Sequence, residues 1–405
     1  MAGFVQRAAR EPNRLRFESE VTAVDGSVVR LKDTYFFAAS GGQPRDRGTI
    51  AGIPVVDVRL EDGAIVHELE TTADLDPGET VRGEVDGAFR QYCRRAHTAS
   101  HVIYGAARQL LQDLGSGGFE IDERKVRIDF ESATPIDDET LISLESLANE
   151  AVWDSRDVTW EQRSYESVIE DEAIAFNAAT EDIVDTNDTV RIVEVEGWDL
   201  AACGGTHVEN TATIGPITVL ERSNPGSGLT RVEFAVGPIA VDRLRTLHET
   251  TTEASGLLDV SPERIPDGIR SLTDRIETSR ERIAELEHTL VSERLDSFET
   301  IETGEHRWKI GHLPDVDTDR SAAALRTAIG ANDISMLVGV TGDERTTLQV
   351  ASTGEIGAER VVATVTEEFG GGGGGSEEMA QGGGVPRSPD DVLAYLRSSA
   401  TEFDE

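Results

Sequence analysis

Lysine is almost missing from this chain of 405 residues: Lys32, Lys125 and Lys309 are the only lysines among 38 basic residues, and arginine supplies the rest. Cysteine is as scarce. Two cysteines, Cys93 and Cys203, cannot frame a disulfide-stapled fold. No stretch reaches the roughly 18 consecutive apolar residues of a membrane span. The N-terminus MAGFVQRAAREPNRLRF lacks the apolar run of a secretory leader. These absences lead to the expectation of a soluble, cytoplasmic chain with no membrane partner. Positive charge is in deficit too. Against 77 acidic residues the formal charge is -39, and the acids are spread through every segment rather than gathered in one tail. A block of like charge reads as a disordered arm. A dispersed acidic surface with intact hydrophobic periodicity reads as a folded protein kept soluble in concentrated salt, as in halophiles.

The length suggests two or three domains, and the chain as a whole reads as α+β. Residues 1–90 hold short alternating runs broken by Asp-Gly and Gly turns, which predicts a small antiparallel β-barrel. From about Arg90 the period changes: RRAHTASHVIYGAARQLLQDLG reads as a helix ended by Gly115. Strands such as KVRIDFE, TVRIVEVEG, ITVLERS and RVEFAVG then mix with the helical stretch DDETLISLESLANEAVWD, so 91–250 forms a second, α+β domain with helices on one face of an antiparallel sheet. Between 251 and 304 lies a helical linker. Its seam of Ile269, Leu272, Ile276, Ile283, Leu286 and Leu290 follows a 3,4 spacing that fits a coiled coil or a hairpin folded on its own chain. A small α/β domain over 305–405 carries two glycine runs that, on composition, read as flexible linker. No GK[ST] follows them, so they are not a P-loop.

Two short pairs carry chemistry. His97 and His101 in HTASH stand at i and i+4, stacked on one helix face. Cys203 and His207 flank Gly-Gly, which lets the backbone turn tightly so that thiolate and imidazole converge. Three nitrogens and one sulfur from two separated elements are the donor set of a tetrahedral zinc site. Cys93, four residues before His97, reads as a buried apolar cysteine, because the four ligands are already complete. Thr98 stands where an HExxH metalloprotease has its general-base Glu, which argues against that peptidase chemistry.

The ordered set SGGQP (Ser40–Pro44), HTASH and CGGTHV resembles the editing domain of alanyl-tRNA synthetase and its free-standing AlaX-type relatives. DTYFFAASGGQPRDRG, KVRIDFES and IGPITVLERSNPGSGLTRVEFAVGP agree in order around these motifs, and GGGGGGSEEMAQGGGV resembles the family's C-terminal DHHA1-type domain. The resemblance implies a zinc-dependent hydrolase that cleaves wrong amino acids from tRNA(Ala), chiefly serine and secondarily glycine, without aminoacylation activity. The alternative is a non-catalytic, zinc-stabilised tRNA-binding protein. The implied zinc ligands are His97, His101, Cys203 and His207. The implied catalytic group is Thr34, Gln43 and His101, with Gly41, Gly42, Thr34 and Thr206 at the substrate. Thr34 is the expected contact for the serine hydroxyl. Against the net charge, tRNA contacts fall to Arg45, Arg47, Arg94 and Arg231 and to Gly382, Gly383 and Gly384. A homodimer through the 262–298 helix and the C-terminal domain is the expected assembly.

Overall fold

The computed structural model describes residues 6–72, 74–171, 174, 189–226, 228–304, 306–329 and 333–403. It divides into two compact units, Met1–Glu253 and Ala254–Glu405.

The first unit opens with a closed barrel. Its strands run, in spatial order, Arg16–Asp25, Val28–Leu31, Ala64–Leu69, Ile53–Glu61, Gly48–Ile50 and Thr80–Val85. The expected Asp-Gly turns are where the hairpins close. Asp62 and Gly63 have φ of 49° and 78°, the two positive values that a two-residue hairpin with the twist of its strands needs. Alternate residues point inward, so Phe17, Val21, Val29, Val58, Leu69 and Val81 fill the interior.

The helix begins earlier than the sequence suggests, at Gly87, and ends at Leu110. Asp86 is the reason: its side chain accepts hydrogen bonds from the amides of Ala88 and Phe89, satisfying two donors that the first turn leaves open. From Ala96 to Ala107 the helix is buried on nearly every face, as befits the central element of the unit. Helix Asp138–Trp153 packs beside it. Two antiparallel sheets complete the body. One has the order Ile217–Gly226, Leu229–Val236, Val126–Glu131, Gly115–Ile121; the other Asp199–Ala202, Thr189–Val195, Val158–Ser164. Gly115 therefore starts a strand after the helix has ended. The strands at Gly115–Ile121 and Val158–Ser164 are absent from the sequence reading, the first because its three glycines hide the alternation.

In the second unit, helix Ile265–Asp296 spans 32 residues, about 48 Å at the α-helical rise. Its apolar seam, Ile269 to Leu290, stays 44–54 % exposed among the described residues. The C-terminal domain is a six-stranded sheet. Within it the glycine runs are not linker. Gly372–Gly375 is an edge strand paired with Met379–Val385. A Cβ at Gly373 would lie 2.4 Å from the Gln381 carbonyl oxygen, and one at Gly375 would lie 2.3 Å from that of Met379. Close backbone packing, rather than flexibility, calls for glycine here.

Candidate metal centre

His97, His101, Cys203 and His207 come together, all buried, with their ligand atoms within 4.8 Å of one another. Cys203 Sγ lies 3.2 Å from His97 Nε2 and 3.3 Å from His207 Nε2. Such spacings suit donors about 2.0–2.3 Å from one zinc ion. Cys93 is buried outside this group, where burial pushes its thiol up to about 12.

Each imidazole is oriented from behind. The His97 Nδ1 hydrogen points at Gln43 Oε1, 2.9 Å away. His101 Nδ1 faces Asp199 Oδ2 at 2.7 Å. His207 Nδ1 faces Thr98 Oγ1 at 3.2 Å, and that hydroxyl spends its own proton on the Arg94 carbonyl. All three rings thus present Nε2 to the common centre, which is how outer groups prepare histidines for a metal. Thr98, in the place of a protease glutamate, is a holder of His207. Electrostatics favours a thiolate at Cys203. Burial opposes ionisation of Cys203, yet the charges of His97 and His207 and hydrogen bonds from His101 and His207 outweigh it and hold the thiol well below its usual range. Burial likewise opposes charge on His101, but the bonds to Asp199 and Cys203 raise it to about 10.

The Cys-Gly-Gly-Thr-His loop is pinned by two buried arginines. Arg94 Nε donates to the His207 carbonyl and Arg191 Nη1 to the Cys203 carbonyl, each at 2.7 Å. Glycine in this loop is needed for room. Gly205 has no left-handed φ, but a Cβ there would lie 2.1 Å from His97 Cε1. Gly205→Ala is therefore expected to push His97 off its Nε2 aim and to lower zinc content per chain by at least half. Full occupancy by atomic absorption would overturn this.

The Ser-Gly-Gly-Gln turn reaches the same centre. Gly41 and Gly42 have φ of 54° and 78°, and Ser40 and Gln43 close the turn through two backbone bonds. At Gly42 a Cβ would also strike the Phe119 carbonyl oxygen at 2.3 Å. Gln43 is buried. Its Oε1 takes the His97 Nδ1 hydrogen and the Thr206 amide, and its Nε2 donates to Thr206 Oγ1 at 3.0 Å. Gln43 and Thr206 thus meet beside the metal ligands. Thr34 sits in the barrel interior, 2.8 Å from His67 Nε2. Burial holds His67 neutral, down to about 4, and its Nδ1 hydrogen goes to the Val29 carbonyl. His67 Nε2 must therefore accept the Thr34 hydroxyl proton.

The arginines proposed for tRNA are engaged otherwise. Arg45 pairs with Asp57, Arg47 with Glu123 while lying over the Phe89 ring, and Arg231 with both oxygens of Asp129. Arg94 is buried under the ligand loop. Gly382, Gly383 and Gly384 belong to a strand of the second unit. The sequence reading missed Asp199 and His67. Asp199 had a legible signal: residues 199, 201 and 203 share one face of a strand run, and a charge at the buried end of that face needs a partner.

The chain matches the family described as the threonyl and alanyl tRNA synthetase second additional domain over residues 190–233, which include Cys203 and His207. It is 32 % identical over 396 residues to the alanine–tRNA ligase of Methanopyrus kandleri, covering 94 % of this chain and 42 % of that protein. To the alanine–tRNA ligase of Methanosarcina acetivorans it is 31 % identical over 404 residues, covering 95 % and 43 %. The Methanosarcina mazei ligase is 35 % identical over 266 residues, covering 63 % and 28 %. The chain spans less than half the length of the relatives it matches. The solved C-Ala domain of Aquifex aeolicus alanyl-tRNA synthetase aligns with 25 % of the chain at 16 % identity and a TM-score of 0.23, too low to carry an inference.

Proposed function

We propose, for a chain whose homologues over most of its length are archaeal alanine–tRNA ligases, that it hydrolyses the ester joining a wrong amino acid to tRNA(Ala), serine first and glycine second. The observation that carries this reading is the convergence of Gln43 and Thr206 on the His97 side of the four-ligand cluster. His97, His101, Cys203 and His207 would hold a zinc ion, which when bound supplies a fixed positive charge toward which an ester carbonyl can be oriented.

The chain's own residues do the rest. Gln43 uses Oε1 to fix His97 and Thr206, and of its two Nε2 hydrogens one goes to Thr206. The other is the donor assigned to the substrate carbonyl or to the attacking water, where a fixed dipole favours developing negative charge. Thr34 is assigned to selection. Its proton is committed to His67 and its oxygen already accepts the Phe36 amide at 3.2 Å, so one lone pair is left as the acceptor assigned to a serine hydroxyl. An alanyl ester brings no such donor. The need for a second site is physical: a pocket that accepts alanine rejects glycine by only about 1–3 kcal/mol, one missing methyl.

The test is deacylation of seryl-, glycyl- and alanyl-tRNA(Ala) in molar potassium chloride, the condition that suits the acidic surface. Wild type is expected to release serine fast and alanine slowly, His101→Ala to release neither, and Thr34→Val to lose roughly tenfold in serine-over-alanine preference, one hydrogen bond's worth. If folded, zinc-loaded wild type releases nothing, the editing reading fails and the non-catalytic tRNA-binding reading replaces it.

A further inference from the structure

Arg191 has no acidic partner among the described residues. It lies in strand Thr189–Val195, 1 % exposed, in a chain with 77 acidic residues. Its two hydrogen bonds go to neutral carbonyls, Nη1 to Cys203 and Nη2 to Ala9 at 2.9 Å. Its Nε is buried without a partner, and among the described residues no carboxylate pairs with it. Its charge is answered from one side only, by the Cys203 thiolate and by the Trp160 ring, whose centroid lies 5.2 Å from the guanidinium carbon.

A cleft of about 310 Å³ opens at this arginine, lined by Arg10, Trp160, Glu161, Gln162 and Arg191. Its volume lies in the range of small-ligand sites, roughly 300–1,000 Å³. The antiparallel register sets Gln162 opposite Arg191 and Trp160 opposite Val193, so Trp160, Gln162 and Arg191 share one sheet face. Arg10 is exposed at the end of helix Arg7–Arg10, whose Ala9 carbonyl holds Arg191. It too has no acidic partner among the described residues. Glu161 is already answered by Arg163, at 2.6 Å. Exposed Arg10 and the half-buried Trp160 indole, one face of which Arg191 covers, make a place for an anion that carries a flat ring on a molecule of charge -39. The guanidinium also holds the carbonyl of Cys203, so the cleft lies directly behind a metal ligand.

We propose that this cleft binds a nucleotide at the acceptor end of the tRNA, with its phosphate against Arg10 and its base against the face of Trp160 that Arg191 leaves open. The proposal rests on the editing reading above. It places the strand leading to the ester beside the metal ligand loop, and it locates the phosphate contacts away from the arginines that are tied up in ion pairs.

The experiment measures binding of the trinucleotide CCA, of AMP and of inorganic phosphate to the full zinc-loaded chain by calorimetry, across a potassium chloride series. Wild type, Arg10→Glu, Arg10→Lys and Trp160→Leu are compared, with KM for seryl-tRNA(Ala) alongside. Wild type is expected to bind CCA more tightly than AMP, and AMP more tightly than phosphate. Arg10→Glu should weaken CCA at least tenfold, with Arg10→Lys restoring most of it. Trp160→Leu should weaken CCA fivefold or more, as loss of a stacked base does. KM should rise in step while kcat holds. AMP binding as tightly as CCA would overturn the acceptor-end assignment in favour of a free mononucleotide. CCA binding and KM that ignore both residues, in an enzyme that does deacylate, would overturn the site alone. A chain that fails to deacylate but loses CCA with these variants would overturn the editing reading and keep the site.

Discussion

Arg90→Met is expected to lower the unfolding free energy by about 3–5 kcal/mol, the loss that follows when one member of a buried ion pair is removed. Arg90 and Asp46 are 1 % and 0 % exposed in their side chains. The guanidinium makes a two-pronged contact with the Asp46 carboxylate, Nε to Oδ1 at 3.0 Å and Nη2 to Oδ2. It also donates to the carbonyls of Pro12 and Tyr35 at 3.0 and 2.7 Å, while Asp46 accepts the Phe37 amide at 2.6 Å. Burial pushes the Asp46 carboxyl up, even against the hydrogen bonds and charge of Arg90. The pair is thus costly to bury and far costlier to break. In urea melts at fixed salt, Arg90→Met should shift the midpoint with an unchanged slope. Adding Asp46→Leu should recover only part of the loss, because two carbonyls and one amide stay without partners. A coupling of about 0.5–3 kcal/mol between the two sites is expected. A single-variant loss below about 1 kcal/mol would show that water reaches the pair. The pair also ties the central helix to the barrel. Arg90, Arg94, His97 and His101 follow a 4,3,4 stripe, so what fixes Arg90 fixes the rotation that aims both histidines.

What could be read from the sequence divides along a physical line. Local signals were legible. Asp62-Gly63 announces its hairpin because only a backbone with two positive φ values closes it, and HTASH announces one helix face by spacing alone. The four ligands could be read because two close pairs need only be brought together once. What orients them could not. Thr98 looked like a missing glutamate, and only the fold shows its hydroxyl under His207. Arg94 looked like surplus charge for phosphate, and only the fold turns it inward onto the His207 carbonyl. The glycine runs looked like linker because composition cannot distinguish a residue chosen for freedom from one chosen for having no Cβ. Gly382 makes the case: a Cβ there would sit 2.6 Å from Leu348 Cδ2. Each of these depends on a partner distant in sequence, and no single-chain pattern encodes that distance.

Asp199 is the residue where such a distant partner matters most. Asp199→Ala is expected to weaken zinc about 10–100-fold, the usual cost of losing the carboxylate behind a metal-bound histidine. Buried on strand Asp199–Ala202, it holds the His101 Nδ1 hydrogen with Oδ2 at 2.7 Å, while Oδ1 lies 3.0 Å from Arg108 Nη2. Arg108 and His101 stand on the same helix, so Asp199 answers both and keeps the ring from turning about its Cβ–Cγ bond. Without it, two tautomers and more ring orientations compete, and only one offers Nε2 to the centre. Asp199→Asn separates the two jobs. Its carbonyl can still accept from Nδ1, so the ring stays aimed, but the negative charge that strengthens the imidazole as a donor is gone. Asn should therefore fall between wild type and Ala in zinc affinity, measured by competition with a chelator of known strength. Deacylation at saturating zinc should return toward the wild-type rate in Asn and less completely in Ala, since mass action restores occupancy but not aim. If Asp199→Ala held zinc as tightly as wild type, His101 would be oriented by its packing alone, and the carboxylate would serve only to neutralise Arg108.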